Sequence, residues 1–227
     1  MKLSVIIPVY NEINTIKIVI KNIERVPIDK EIILVDDFST DGTRECLNKF
    51  EDAKNNVRVF YHNKNLGKGA ALKTALKQVS GDYAIIQDGD LEYEPQDYLI
   101  LTSYAEKNNA DVVYGSRFYN TWRTTSLWHY MVNKFLTLFA NILYSIDLTD
   151  METCYKLIKT DIFKSLNLKS QRFEIEPEIT AKLIKKGYKI FEVPISYKGR
   201  SYHEGKKIGW LDGLMTIWTL IKLRCIS

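Results

Sequence analysis

Short β-branched apolar runs alternate with longer stretches of helical period through the first half of the chain, and this alternation limits the fold more than any other feature. The runs Leu3–Val9, Glu31–Val35, Val57–Tyr61, Tyr83–Gln87 and Asp111–Tyr114 read as strands. Between them, Ile13–Arg25, Thr43–Phe50, Gly69–Val79 and Pro95–Asn108 read as helices. Parallel strands need long crossovers, and helices in that role cover both faces of a sheet. The expected fold class is therefore α/β, with a mostly parallel central sheet flanked by helices. Such sheets bind ligands beyond the carboxyl ends of their strands, so the polar residues that follow each strand are the informative ones. After Tyr114 come an aromatic-rich segment, an amphipathic helix candidate over Trp128–Tyr144, and a strand-helix-strand stretch ending at Tyr197. With 227 residues and no linker or repeat, the chain is expected to form a single domain over 1–227.

Composition narrows the class of partner. Hydrophobic residues at 45% and charged residues at 26% are ordinary for a globular protein. A net charge of +4 is too mild for nucleic-acid binding, and no motif for it is present. Lys182, Lys185, Lys186, Lys189, Lys198, Arg200, Lys206 and Lys207 crowd one C-terminal stretch, which reads either as a solvated surface or as a site for an anionic partner. Cys46, Cys154 and Cys225 are odd in number and far apart, which fits a reduced, cytoplasmic compartment. Pro8 interrupts the apolar opening and no cleavage site follows it, so Leu3–Val9 does not read as a secretory signal. Leu214–Leu223 is about half of the ~20 residues that a membrane span needs.

The strongest local signal is Asp88-Gly89-Asp90-Leu91-Glu92, directly after an apolar strand. If the strand continues, residues two apart point the same way, and Asp88, Asp90 and Glu92 present three carboxylates on one side. Such a face suits magnesium or manganese, which could neutralise a departing diphosphate. The competing reading is an acidic turn that caps the helix at Pro95. Asp36-Asp37 also follows a strand, and Asp37 there could accept hydrogen bonds from a nucleotide base or belong to a turn. Lys68 opens a helix within Asn65-Leu66-Gly67-Lys68-Gly69, from which it could reach a nucleotide or simply face solvent. The spacing is not that of a P-loop, and Leu72 stands where a dinucleotide fingerprint needs a small residue.

Together these segments resemble the family-2 glycosyltransferases of the GT-A nucleotide-diphospho-sugar transferase fold. The resemblance rests on Val5-Ile6-Ile7-Pro8-Val9-Tyr10-Asn11-Glu12, Val35-Asp36-Asp37 and Asp88-Gly89-Asp90 in that order. It implies that Pro8, Tyr10, Glu12, Asp37 and Asp88 contact the nucleotide and that Asp88 and Asp90 hold the metal. It also implies a nucleotide-binding half over 1–115 and an acceptor-binding half over 116–227. The polyprenyl-phosphate group, which includes the dolichol-phosphate mannosyltransferases, is similar at Gly115-Ser116-Arg117, Thr153-Cys154-Tyr155-Lys156, Phe173-Glu174-Ile175-Glu176-Pro177-Glu178 and Val193-Pro194-Ile195, and at Arg200 and Gly205-Lys206-Lys207. Glu92 departs from the group's usual glutamine ligand, and His129 lies near a position that typically holds another basic residue.

The activity so implied is inverting transfer of a sugar from a UDP- or GDP-sugar to a polyprenyl phosphate, assisted by a divalent cation. Asp90 and Arg117 would serve the reacting centre, and Arg200 and Lys206 the acceptor phosphate. Guanidinium and ammonium groups suit that task because they grip phosphate and offset repulsion between two anionic substrates. A lipid acceptor places the protein at the cytoplasmic face of a membrane, with Trp128–Tyr144 and Trp210–Leu223 as interfacial helices or as core helices. A transferase acting on a hydroxyl acceptor would keep the nucleotide half and leave Arg200 and Lys206 incidental. A sugar-phosphate nucleotidyltransferase would carry a glycine-rich basic loop after the first strand, where this chain has Tyr10-Asn11-Glu12.

Overall fold

The computed structural model describes residues 1–53, 56–119, 127–199 and 210–225. The first four strands are β1 (Leu3–Val9), β2 (Lys30–Asp36), β3 (Val57–Tyr61) and β4 (Tyr83–Ile86). The helices α1 (Ile16–Glu24), α2 (Thr43–Ala53) and α3 (Lys68–Leu76) join them, and α4 (Tyr98–Asn108) leads on to β5 (Val112–Ser116). Continuous apolar runs in β1, β2 and β4 suit strands covered on both faces, and their side chains are almost wholly buried. The second half adds α5 (Leu127–Tyr144), β6 (Lys156–Lys159), α6 (Thr160–Ser165), α7 (Ile175–Lys185), β7 (Ile190–Pro194) and α8 (Trp210–Cys225).

The strands form one seven-stranded sheet in the order β3-β2-β1-β4-β6-β5-β7. Only β6 runs antiparallel to its neighbours, pairing Ile85 with Leu157 on one side and Val113 with Leu157 on the other. This insertion brings the start of β6 to the same edge as the carboxyl ends of β4 and β5. Residues from both halves of the sequence thus meet along a single edge.

Several expected helices start at other positions, and for two of them the contacts show why. Helix α1 begins at Ile16 rather than Ile13, because Asp41 holds the Ile13 N–H at 3.1 Å and Asn11 turns the chain with φ 52°. Helix α3 begins at Lys68, after Gly67 at φ 95°. A Cβ on Gly67 would collide with the Gln171 carbonyl oxygen, and one on Gly69 would fall 2.7 Å from that of Ser170. The glycines therefore let the 170–172 loop pack against the start of α3.

Helices α5 and α8 pack together through Leu136, Ala140, Tyr144 and Leu220, and the Tyr144 hydroxyl donates to the Leu220 carbonyl at 2.8 Å. Their other faces are exposed and apolar. On α5 these are Trp128 (68% exposed), Met131, Phe135, Leu138 and Ile142 (74%), at alternating spacings of three and four that place them on one stripe. Helix α8 exposes Leu211, Leu214, Met215 and Trp218. No helix among the described residues is long and apolar enough to cross a membrane.

Candidate active site

The candidate site lies at the sheet edge where β1, β2, β4 and β5 end and β6 begins. Beyond β1 and β2 the chain is interlocked. Asn11 donates its N–H to the Ser39 hydroxyl at 2.9 Å and accepts from the Thr40 N–H at 2.8 Å. Glu12 is buried, and the Thr15 hydroxyl lies 2.8 Å from both its Oε2 and the Gly89 carbonyl. Pro8 is half-buried within β1, and Tyr10 is exposed just beyond it.

Asp37 is buried, with its oxygens 2.9 and 2.7 Å from the Leu66 and Gly67 N–H groups that donate to them. His62 Nδ1 lies 2.7 Å from the same carboxylate and Nε2 lies 2.9 Å from the Thr74 hydroxyl. Asp37 thus fixes the loop that opens α3 as well as lining the site. Its neighbour Asp36 turns away, accepting from Arg44 Nε at 2.9 Å.

The expected face of three carboxylates is not formed. Strand β4 ends at Ile86 and the chain bends through 89–92, so alternation by two no longer applies. Asp90 accepts the Glu92 N–H at 3.0 Å, and Glu92 accepts the Tyr197 hydroxyl at 2.9 Å. Asp88 pairs with Lys68 at 2.7 Å. Among the described residues, no three His, Cys, Asp or Glu side chains are placed together to hold a metal ion. Asp88 and Asp90 remain as hard oxygen donors beyond the end of β4, a donor set that suits magnesium or manganese when substrate phosphates complete the coordination.

Lys68 sits at the start of a chain of buried charges. Its ammonium lies 2.7 Å from Asp88 and 3.0 Å from Glu176 Oε1, the latter without hydrogen-bond geometry. Glu176 Oε2 in turn lies 2.5 Å from Lys156 Nζ. Burial opposes the charge on Lys68, but the Asp88 and Glu176 carboxylates outweigh it and hold its pKa well above the usual lysine value. Burial and Asp88 push the Cys154 thiol well up, so it stays protonated.

Arg117, after β5, donates from Nε and Nη2 to Asp150 at 2.7 and 2.8 Å. Its guanidinium lies over the Tyr197 and Phe118 rings, 5.1 and 5.2 Å from their centroids. Glu192 on β7 positions the segment by accepting the Thr149 and Asp150 N–H groups at 2.7 and 3.0 Å. Lys134 on α5 reaches the Thr149 carbonyl at 3.3 Å, so α5 borders this part of the site. Arg200 and Lys206 lie outside the described residues. Sequence reading passed over Glu152, next to the Thr153–Lys156 motif. Its Oε1 is buried with no hydrogen-bond partner among the described residues.

A seven-stranded, mostly parallel sheet of this order, flanked by helices and with acidic loops at its carboxyl edge, has the architecture of the GT-A fold. Residues 4–166 match the family described as Glycosyl transferase family 2. The chain belongs to that family. It is 33% identical to an uncharacterized protein of Methanocaldococcus jannaschii over 88% of either chain. It is 30% identical to the dolichol-phosphate mannosyltransferase of Pyrococcus furiosus, over 98% of this chain and 64% of that protein. The undecaprenyl-phosphate mannosyltransferase of Micrococcus luteus is 25% identical over 94% of this chain and 90% of that one. Among solved structures, glucosyl-3-phosphoglycerate synthase from Mycobacterium tuberculosis in complex with UDP superposes with a TM-score of 0.76 at 19% identity, covering 100% of this chain and 81% of that one. The same enzyme has been crystallised with Mn2+, UDP and phosphoglyceric acid, a likeness with a TM-score of 0.71 at 17% identity over 100% and 79%. These structural likenesses establish the fold.

Proposed function

We propose that the protein transfers a sugar from a UDP- or GDP-sugar to a polyprenyl phosphate with inversion, working at the cytoplasmic surface of a membrane. The observation that carries the acceptor assignment is the exposed apolar stripe of α5, a helix that reaches Thr149 through Lys134 and packs against α8, which exposes apolar side chains of its own. Such a face suits the boundary between headgroups and acyl chains, where a lipid phosphate is found. The names of the Pyrococcus and Micrococcus relatives point the same way.

In this reading residues 1–115 hold the nucleotide and 116–227 the acceptor. Pro8, Tyr10, Glu12 and Asp37 border the base and ribose, and Lys68 and Asp88 border the diphosphate. Asp88 and Asp90 would hold the magnesium or manganese ion, which supplies neutralisation of the diphosphate leaving group when bound. Asp150 engages the bidentate edge of Arg117, so that residue meets a phosphate through its other edge. Arg200 and Lys206 hold the acceptor phosphate. A phosphate oxygen is already ionised at neutral pH, so the chain needs only to orient two anions and exclude water.

The test is to supply radiolabelled GDP-mannose and UDP-glucose with undecaprenyl or dolichyl phosphate, with and without a chelator. Cation-dependent label in the lipid is expected. Transfer only to hydroxyl acceptors, with none to lipid, would remove the phosphate assignment.

A further inference from the structure

Three cations and three acids around the site pair off: Lys68 with Asp88, Lys156 with Glu176, and Arg117 with Asp150. Glu152 stands beside these pairs and belongs to none of them. Among the described residues it makes no ion pair, and its Oε1 is shut off from solvent without a donor. A buried carboxyl oxygen in that condition costs free energy, roughly 1–3 kcal/mol or more, unless something else donates to it. The donor is therefore sought in a ligand.

The order of the strands indicates which part of a ligand reaches it. Asp37 follows β2, Tyr10 and Glu12 follow β1, and Asp88 and Asp90 follow β4. One strand further along the same edge, Glu152 lies on the approach to β6, and Arg117 follows β5 beyond it. Neighbouring strands are about 4.8 Å apart, roughly the distance by which a sugar ring extends past the phosphate that carries it. Read along this edge, base, diphosphate and sugar fall in sequence.

We propose that Glu152 recognises the transferred sugar, its carboxylate accepting hydrogen bonds from hydroxyl groups of the donor hexose. The proposal rests on the reading of this sheet edge as a nucleotide-sugar site. It adds a specificity-determining residue on the sugar itself. Titration gives it an independent signature. Burial, helped by Glu176 and Asp150 and opposed by Lys156 and Arg117, pushes the Glu152 carboxyl up to about 7. The ionised form is the stronger acceptor, so hydroxyl donation from the sugar favours loss of the proton. Affinity for the sugar then rises as pH increases through that range.

The experiment measures by calorimetry, with Mn2+ present, the ratio of dissociation constants for GDP-mannose and GDP, and for UDP-glucose and UDP. The nucleotide alone controls for the rest of the site. In Glu152→Ala the ratio for the native donor should worsen about tenfold or more, with affinity for the bare nucleotide unchanged. Glu152→Gln keeps the shape and one acceptor oxygen; it should lose less and remove the pH dependence of the ratio over about one unit either side of pH 7. If Ala unfolds the protein, Gln carries the test. An unchanged, equally pH-dependent ratio in Glu152→Gln overturns the proposal while leaving the nucleotide-sugar reading intact. Reduced turnover with an unchanged ratio also overturns it, and assigns Glu152 to proton removal from a hydroxyl acceptor. A parent protein that binds none of the four nucleotides overturns both readings.

Discussion

Replacing Glu176 with alanine tests the chain of buried charges most directly. Lys156 is 0% exposed, and its ammonium is held by Glu176 at 2.5 Å, by the Thr153 carbonyl, and by the Tyr114 ring 5.0 Å away. Removing the carboxylate leaves an ammonium in the core with one carbonyl and one aromatic face. Stranding one partner of a buried ion pair typically costs about 3–5 kcal/mol. In a chain of this size each kcal/mol lowers the melting temperature by roughly 2–4 °C, so a fall of about 6–20 °C is expected. The reverse change, Lys156→Met, should cost less, because Glu176 retains Lys68 at 3.0 Å. The double variant Lys156→Met with Glu176→Leu should regain part of the loss, since no charge is then stranded. Urea denaturation of the two single variants and the double variant yields the coupling between the sites. A loss below about 1 kcal/mol for Glu176→Ala, or simple additivity, would refute the picture of a buried pair whose charges depend on each other.

Asp37→Ala should weaken nucleotide binding and also lower stability by about 1.5–3 kcal/mol, since the carboxylate accepts two backbone N–H groups; calorimetry and thermal melting on the same protein separate the effects. Ile142→Glu with Trp218→Glu should abolish flotation with anionic liposomes and leave the melting temperature within a degree or two, because both side chains are exposed. Arg200→Ala or Lys206→Ala should reduce acceptor efficiency roughly tenfold or more with nucleotide-sugar affinity unchanged, and Arg200→Lys should restore only part of it; steady-state kinetics with varied lipid phosphate decides.

The parts legible in the sequence are those that depend on local pattern. Strands β1 and β3 run over the expected residues, because unbroken apolar or β-branched segments have few alternatives. The α/β class follows from the same signal. The carboxylates of Asp88, Asp90 and Glu92 are not brought together among the described residues, because the strand stops at Ile86 and Asp90 bonds within its own loop. Lys68 could not be tied to Asp88 and Glu176 from spacing alone, since only tertiary packing brings α3, the β4 loop and α7 together. The antiparallel placement of β6 was hidden for a related reason. A four-residue strand carries no record of its partners or their direction. Glu152, an acid between Met151 and Thr153, looks ordinary in the sequence, because nothing there shows that its Oε1 is closed off from solvent.

The insertion of β6 between β4 and β5 also shapes how the molecule folds. β4 pairs with a strand more than seventy positions later in the chain, and β5 is held on its outer side by β7, later still. Pairings of such long sequence separation close large loops before they gain contacts, which makes folding slow and favours late, concerted assembly of the sheet. During synthesis the first four strands emerge while β4 has an open edge, and that edge stays exposed until residues 156–159 leave the ribosome. The same docking step brings Glu152, Arg117 and Asp88 to one edge. Closing the sheet and assembling the site are therefore one event, so a chain interrupted before β6 would have an unpaired strand and no active site.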